Sequence, residues 1–141
     1  MTFRSRKESD EVRPVPGLAA LAPASVKQLL KVGRLVHIPD GWTPIHDGEP
    51  ADKAYLILEG GMQVVTKDEV IAHVGVGAFV GEIGLVDHSL RSARVTVVDP
   101  VLAIAWPKDD FQQLRQELPD FDQLVSTTAR TRVLENERRH E

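Results

Sequence analysis

The stretch FVGEIGLVDHSLRSARV, residues 79–95, gathers Gly81, Glu82, Gly84, Arg91 and Ser92 between apolar, β-branched segments. A carboxylate and a guanidinium near an apolar core are costly unless each is paired or hydrogen-bonded, so their concentration here points to a small polar ligand. Gly81 and Gly84 permit close backbone approach, and one turn of helix beginning near Glu82 would aim free N–H groups at an anion. Arg91 offers a planar fork for two phosphate oxygens at once, and Ser92 adds a further donor. A phosphate-bearing ligand is the chemistry this set would serve. The competing reading is a surface loop closed by a salt bridge between Glu82 and Arg91.

The elements that must position these residues can be read from pattern. LAPASVKQLLKVG predicts a short helix over about 24–32, capped ahead of Val26 and ended by Gly33. From Arg34 to Trp106 short β-rich runs follow: RLVHI, WTPIH, AYLIL, MQVVT, EVIAHV, ARVTVV and VLAIAW. Turn residues separate them at Pro39-Asp40-Gly41, Asp47-Gly48, Gly60-Gly61, Lys67-Asp68, Gly75 to Gly77 and Asp99-Pro100. Such regular spacing predicts a small sandwich or jelly-roll β-barrel over about 34–106. Pro107 and Pro119 then punctuate a helix-forming tail, which predicts helices near 107–117 and 120–137. The second carries Phe121, Leu124, Val125, Ala129 and Val133 on one face, read as packing on the barrel rather than a dimer seam. The fold class is therefore mainly β, with one N-terminal and two C-terminal helices. Residues 1–16 are charged, hold two prolines and have no apolar period, so they read as a flexible leader to a single domain over 17–141.

Composition narrows the function classes. At 141 residues and 42% hydrophobic the chain suits one self-sufficient core. The absence of cysteine removes disulfide scaffolds and thiolate metal sites and agrees with a cytoplasmic setting. No stretch approaches a membrane span, and a net charge of −4 gives no field for general nucleic-acid binding. His37, His46, His73, His88 and His140 are scattered and read as surface or strand residues. Only His46 sits near a hairpin suited to a cupin-type metal enzyme, and its possible partners Glu49 and His88 fit that motif poorly, so neither a metal nor a catalytic residue is assigned. Gly60 and Gly61 read as turn residues, Trp42 and Trp106 as barrel-end packing rather than base stacking, and Arg94 as solvated.

Two stretches, GEPADKAYLILEGGMQVV and GAFVGEIGLVDHSLRSARVTVV, together with the order helix, barrel, two helices, resemble the cyclic nucleotide-binding domain family, over about residues 18–138. The second stretch is similar to the phosphate-binding cassette of the catabolite activator and of the regulatory subunits of the cyclic AMP-dependent kinase. In that cassette Phe-Gly-Glu, a short helix and Arg followed by a small residue and Ala enclose cyclic phosphate and ribose. Here Phe79, Gly81 and Glu82 correspond, with Arg91, Ser92 and Ala93 following. Val80 is inserted after Phe79, and Leu90 stands where many members have proline.

The resemblance implies ligand contacts from Gly81, Glu82, Ile83, Gly84, Arg91, Ser92 and Ala93. Glu82 would accept from the ribose 2′-hydroxyl, and Thr127 or Thr128 would meet the base as the helix from Asp120 closes over the barrel mouth. The function it implies is a cytoplasmic sensor module with no catalysis or cofactor, binding cyclic AMP or else cyclic GMP. With Glu141 as the last residue, no DNA-binding helices are expected after the domain, so output would pass to an effector protein, with a homodimer possible. In the unliganded chain Arg91 is expected to face solvent in a shallow pocket. The alternative function is a degenerate module that keeps the fold and serves only as a protein-interaction platform.

Overall fold

The computed structural model describes residues 18–82, 85, 91 and 93–128. A 3₁₀ turn at Leu18–Ala20 leads into α1, Pro23–Val32. Proline at its start suits a position whose N–H has no helical partner, and Val26, Leu29 and Leu30 recur on one buried face. Five strands follow: β1 Arg34–Ile38, β2 Lys53–Thr66, β3 Glu69–Val74, β4 Phe79–Val80 and β5 Arg94–Pro107. The described residues end in α2, Lys108–Glu117, and α3, described over 119–128. Leu118 separates these helices, and Pro119 opens the second where a prolyl residue does least harm.

Antiparallel strands flanked by one N-terminal and two C-terminal helices are the arrangement expected. Among the described residues the ladder runs β1-β5-β2-β3, with β4 on β2, and stays open rather than closing into a ring. Side-chain alternation splits the interior in two. Ala54, Leu56, Ile104 and Trp106 face the three helices, while Tyr55, Ile57, Val101, Ala103 and Ala105 face an inner cluster with Ile45, Val80 and Val95. On the helix side Phe79, Trp106, Phe111 and Phe121 pack with ring centroids 5.5 to 6.4 Å apart, tying β4, β5, α2 and α3 together. The Trp106 indole donates to Leu29 O at 3.0 Å, which satisfies its buried N–H.

Several expectations are corrected. AYLIL and MQVVT form one strand, as do ARVTVV and VLAIAW. Gly60 and the Asp99-Pro100 pair oppose each other across the ladder, and the register shifts on both sides of Gly61. Two turn signals thus combine into one shared bend, because a long strand can be kinked by bulges without ending. Gly60 has φ +83°, and a Cβ there would lie 2.1 Å from Pro100 O, so the glycine serves close strand approach. WTPIH contributes only a bridge from Ile45 to Val95. Gly33 does end α1 as expected, its N–H bonded to Leu29 O at φ −73°, and an added Cβ would strike Ile104 and Trp106. Trp42 is 64% exposed rather than packed. The hydrogen bonds Gly41 N to Val97 O and Val97 N to Trp42 O fix that loop's backbone to β5 and leave the indole outside. Lys67 and Asp68, at φ 51° and 62°, make the expected tight turn between β2 and β3.

Candidate functional site

The site forms where β4 ends. Phe79 and Val80 pair with Leu56 and Tyr55, and alternation sends Phe79 to the helix side and Val80 to the inner cluster. The inserted valine is therefore a core residue of this strand. Gly81 then turns the chain with φ +87°, a conformation that glycine adopts freely. Beyond it Glu82 and Leu85 have helical backbone, and both are fully buried. Ile83, Gly84 and Ser92 lie outside the described residues.

Arg91 returns to the same place from the far side of the cassette. Its backbone is clamped by Arg91 N to Glu49 O and Gly48 N to Arg91 O, both 2.8 Å, which gives Gly48 and Glu49 a defined role. Its guanidinium donates through Nη1 to Gly81 O at 2.5 Å and through Nη2 to Lys53 O at 2.7 Å. The Asp52 carboxylate lies 3.7 Å from Nη2, with its side chain 76% exposed. Arg91 itself is only 8% exposed, which corrects the expectation of a solvent-facing arginine, and Glu82 is buried too, so the pair is not a surface loop. A Cβ on Gly81 would come within 2.9 Å of both Arg91 Nη1 and Lys53 O. The glycine is needed here for space as well as for conformation.

The electrostatics follow from that burial. Desolvation pulls the Arg91 pKa below its ordinary value, while Asp52, Tyr55 and Glu82 oppose the shift. The Tyr55 phenol is pushed up, first by burial and then by Asp52, against the pull of Arg91. At neutral pH the guanidinium remains a cation. Its two short hydrogen bonds go to neutral carbonyls, Asp52 beside it is largely in solvent, and the buried Glu82 acts on it electrostatically.

The structure brings Gly81, Glu82 and Arg91 together. Ala93, half-buried, leads into β5. Thr127 and Thr128 sit on the last described turn of α3, where Thr128 Oγ1 donates to Leu124 O at 2.9 Å. Arg94, with a half-exposed side chain 3.9 Å from Asp68, is a surface residue as expected. Sequence reasoning missed Asp52, Lys53 and Tyr55. Lys53 takes part through its carbonyl, which leaves no side-chain signature. Asp52 could have been found as the acid that precedes the strand facing the cassette. Among the described residues no group of three or more potential metal ligands occurs, and no helix is long and apolar enough to cross a membrane.

Comparison with known proteins places this geometry. The family model described as "Cyclic nucleotide-binding domain" matches residues 35–117. The chain is 31% identical over 118 residues to a cyclic nucleotide-gated potassium channel of Mesorhizobium japonicum, across 84% of this chain and 33% of the channel. It is 34% identical over 103 residues to the cAMP-activated global transcriptional regulator CRP of Salmonella typhimurium, across 67% of this chain and 48% of that protein. It thus spans about a third of the channel's length and about half of the regulator's. Among solved structures, the regulatory subunit of a cAMP-independent protein kinase A from Trypanosoma brucei superposes with a TM-score of 0.78 at 22% identity, covering 88% of this chain and 45% of that one. A putative cyclic nucleotide-binding protein from Geobacter metallireducens gives a TM-score of 0.75 at 18% identity, covering 89% and 95%. At these identities the structural likeness speaks for the fold alone.

Proposed function

The chain belongs to the cyclic nucleotide-binding domain family, a class of sensor and regulatory modules, and from that premise we propose that it binds cyclic AMP in the cassette of residues 79–95 and signals through its C-terminal helix. The observation that carries the reading is the buried Arg91, held in place by the carbonyls of Gly81 and Lys53. An arginine fixed by neutral acceptors keeps its charge for a ligand anion, and the cyclic phosphate supplies one. The helical backbone at Glu82 offers N–H donors to the same group. Glu82 takes the ribose 2′-hydroxyl, and Gly81, Ile83, Gly84, Ser92 and Ala93 line the phosphate and sugar.

Cyclic AMP is preferred over cyclic GMP because the related regulator is described as cAMP-activated. For the output, Phe121 of α3 packs 6.1 Å from Phe79, the first residue of the cassette, so a change there reaches the helix directly. Thr127 and Thr128 are the base contacts in this scheme. The module acts in the cytoplasm on an effector protein, without catalysis or nucleic-acid contact, as a monomer or homodimer.

Calorimetric titration with both cyclic nucleotides tests the reading. Saturable binding, tighter for cyclic AMP, is expected, together with slowed amide exchange in 119–128. Absence of heat with either nucleotide refutes it, and binding without any change in exchange refutes the helix as output.

A further inference from the structure

Gln112 lies on α2, outside the cassette, and a glutamine on an amphipathic helix normally reads as a solvated residue. Here its Nε2 donates to Leu85 O at 2.6 Å, on the helical backbone that follows Glu82. Its Oε1 accepts from Arg115 Nη1 at 2.8 Å. Arg115 Nε in turn donates to Asp122 Oδ1 at 2.7 Å, in the first turn of α3. Three consecutive hydrogen bonds therefore run from the cassette, through α2, to the C-terminal helix.

The chemistry of the groups fixes the direction of this chain. A guanidinium only donates and an ionised carboxylate only accepts, so Arg115 must donate at both of its contacts. That turns the amide oxygen of Gln112 toward Arg115 and leaves its NH₂ facing the Leu85 carbonyl, which can only accept. No other orientation of the amide satisfies both neighbours. The Arg115–Asp122 pair is partly exposed, with side chains 18% and 44% accessible, and pairs of that kind add little to stability. Its value is geometric: the position of α3 selects where Arg115 points, and Arg115 selects which atom Gln112 shows to the cassette.

We propose that Gln112 is a positioning residue that holds the cassette turn against α3, and that the relay Leu85–Gln112–Arg115–Asp122 couples the state of the ligand site to the C-terminal helix. The consequence for affinity rests on the cyclic nucleotide reading above, whereas the coupling itself does not. The aromatic contacts among Phe79, Phe111 and Phe121 join the same elements, but through a non-directional apolar surface. The relay is directional and can be broken without emptying the core.

Gln112→Glu is the discriminating variant, because it keeps shape and the acceptor for Arg115 but replaces the donor to Leu85 with an oxygen. Asp122→Ala cuts the relay at its far end. In the ligand-free protein, hydrogen exchange of peptides covering 79–91 should accelerate about fivefold to tenfold in both variants, with the double variant no faster than either single one. Peptides of α1 and β1 serve as the control and should be unchanged. If Asp122→Ala leaves 79–91 at the parent rate, if the effects add, or if exchange rises throughout the chain, the relay is overturned. With cyclic AMP, Gln112→Glu should bind about tenfold more weakly than the parent. A parent that binds neither cyclic AMP nor cyclic GMP refutes the function reading alone, since the ligand-free exchange still decides the relay.

Discussion

Replacing Arg91 by alanine tests fold and proposed function together, because one guanidinium ties two backbone carbonyls and is the proposed partner of the ligand phosphate. In the free protein it satisfies Gly81 O and Lys53 O, at 2.5 and 2.7 Å, from a position 8% exposed. Truncation leaves both carbonyls without that donor, at about 1–3 kcal/mol for each buried group left unmatched. Solvent can enter beside the exposed Asp52, so the lower half of the range applies and the total is about 2–4 kcal/mol. Most small domains have about 5–15 kcal/mol in hand, so the variant stays folded at room temperature. Its melting temperature should fall by roughly 6–20 °C, at about 3–5 °C per kcal/mol for a chain of this length. Affinity for cyclic AMP should drop as well, since losing one partner of a buried charge pair costs about 2–5 kcal/mol, or roughly 30-fold to several thousand-fold. Arg91→Lys keeps the charge but not the fork, so it should recover part of the affinity and little of the melting temperature. Thermal melts with and without nucleotide, and calorimetry at a temperature where circular dichroism shows the variant folded, separate the two effects. A melting point within 2 °C of the parent refutes the carbonyl clamp; unchanged affinity refutes the cassette as the binding site.

Other substitutions probe the frame around it. Gly60→Ala places a side chain at φ +83° and 2.1 Å from Pro100 O, so it should cost more than about 3 kcal/mol and lower the melting point by at least about 10 °C. Asp120 accepts from Ala22 N, Ser25 Oγ and Phe121 N, joining the start of α1 to α3. Partial burial pushes its pKa up, but these hydrogen bonds prevail and hold it below the ordinary carboxylate value. A depressed folded pKa gives stability that is complete above the unfolded value and is lost as pH falls through the folded one. Asp120→Ala should therefore cost about 0.5–2 kcal/mol at pH 7, as for a lost helix cap, and the gap from the parent should close below about pH 4 in denaturant titrations. Arg94→Ala, which removes a 3.9 Å surface pair with Asp68, should leave nucleotide affinity within about threefold.

What the sequence made legible was whatever side chains announce through pattern. Period-two runs found the strands, the two prolines bounded the helices, and the order of glycine, acid and arginine located the cassette. Three kinds of information were hidden. Gly60-Gly61 and Asp99-Pro100 read as chain reversals because one strand cannot show that its bend is matched by a bend in its neighbour. Trp42 read as core because apolarity predicts burial only on average, while its loop's backbone bonds to β5 decide otherwise. Lys53 O, Gly81 O and Leu85 O were invisible as partners, since every residue has a carbonyl and only tertiary placement decides which three are used. Gln112 stayed hidden for the same reason: its target is a backbone atom.

The dependence on backbone acceptors bears on how such a site can bind. Arg91 loses most of its hydration when the chain folds, and the carbonyls of Gly81 and Lys53 compensate that loss. In the proposed binding mode a ligand phosphate would meet a cation already stripped of water and fixed in direction, so little further ordering would be needed on binding. Its nearest competitor is Asp52, which at 3.7 Å and largely in solvent is weakly held and easily displaced toward water. Had a buried carboxylate clamped the guanidinium instead, an incoming phosphate would have had to leave that acid unpaired, at a cost comparable to its own attraction. Neutral carbonyls limit that conflict: they position the arginine without adding a further counter-charge to those of Asp52 and the buried Glu82.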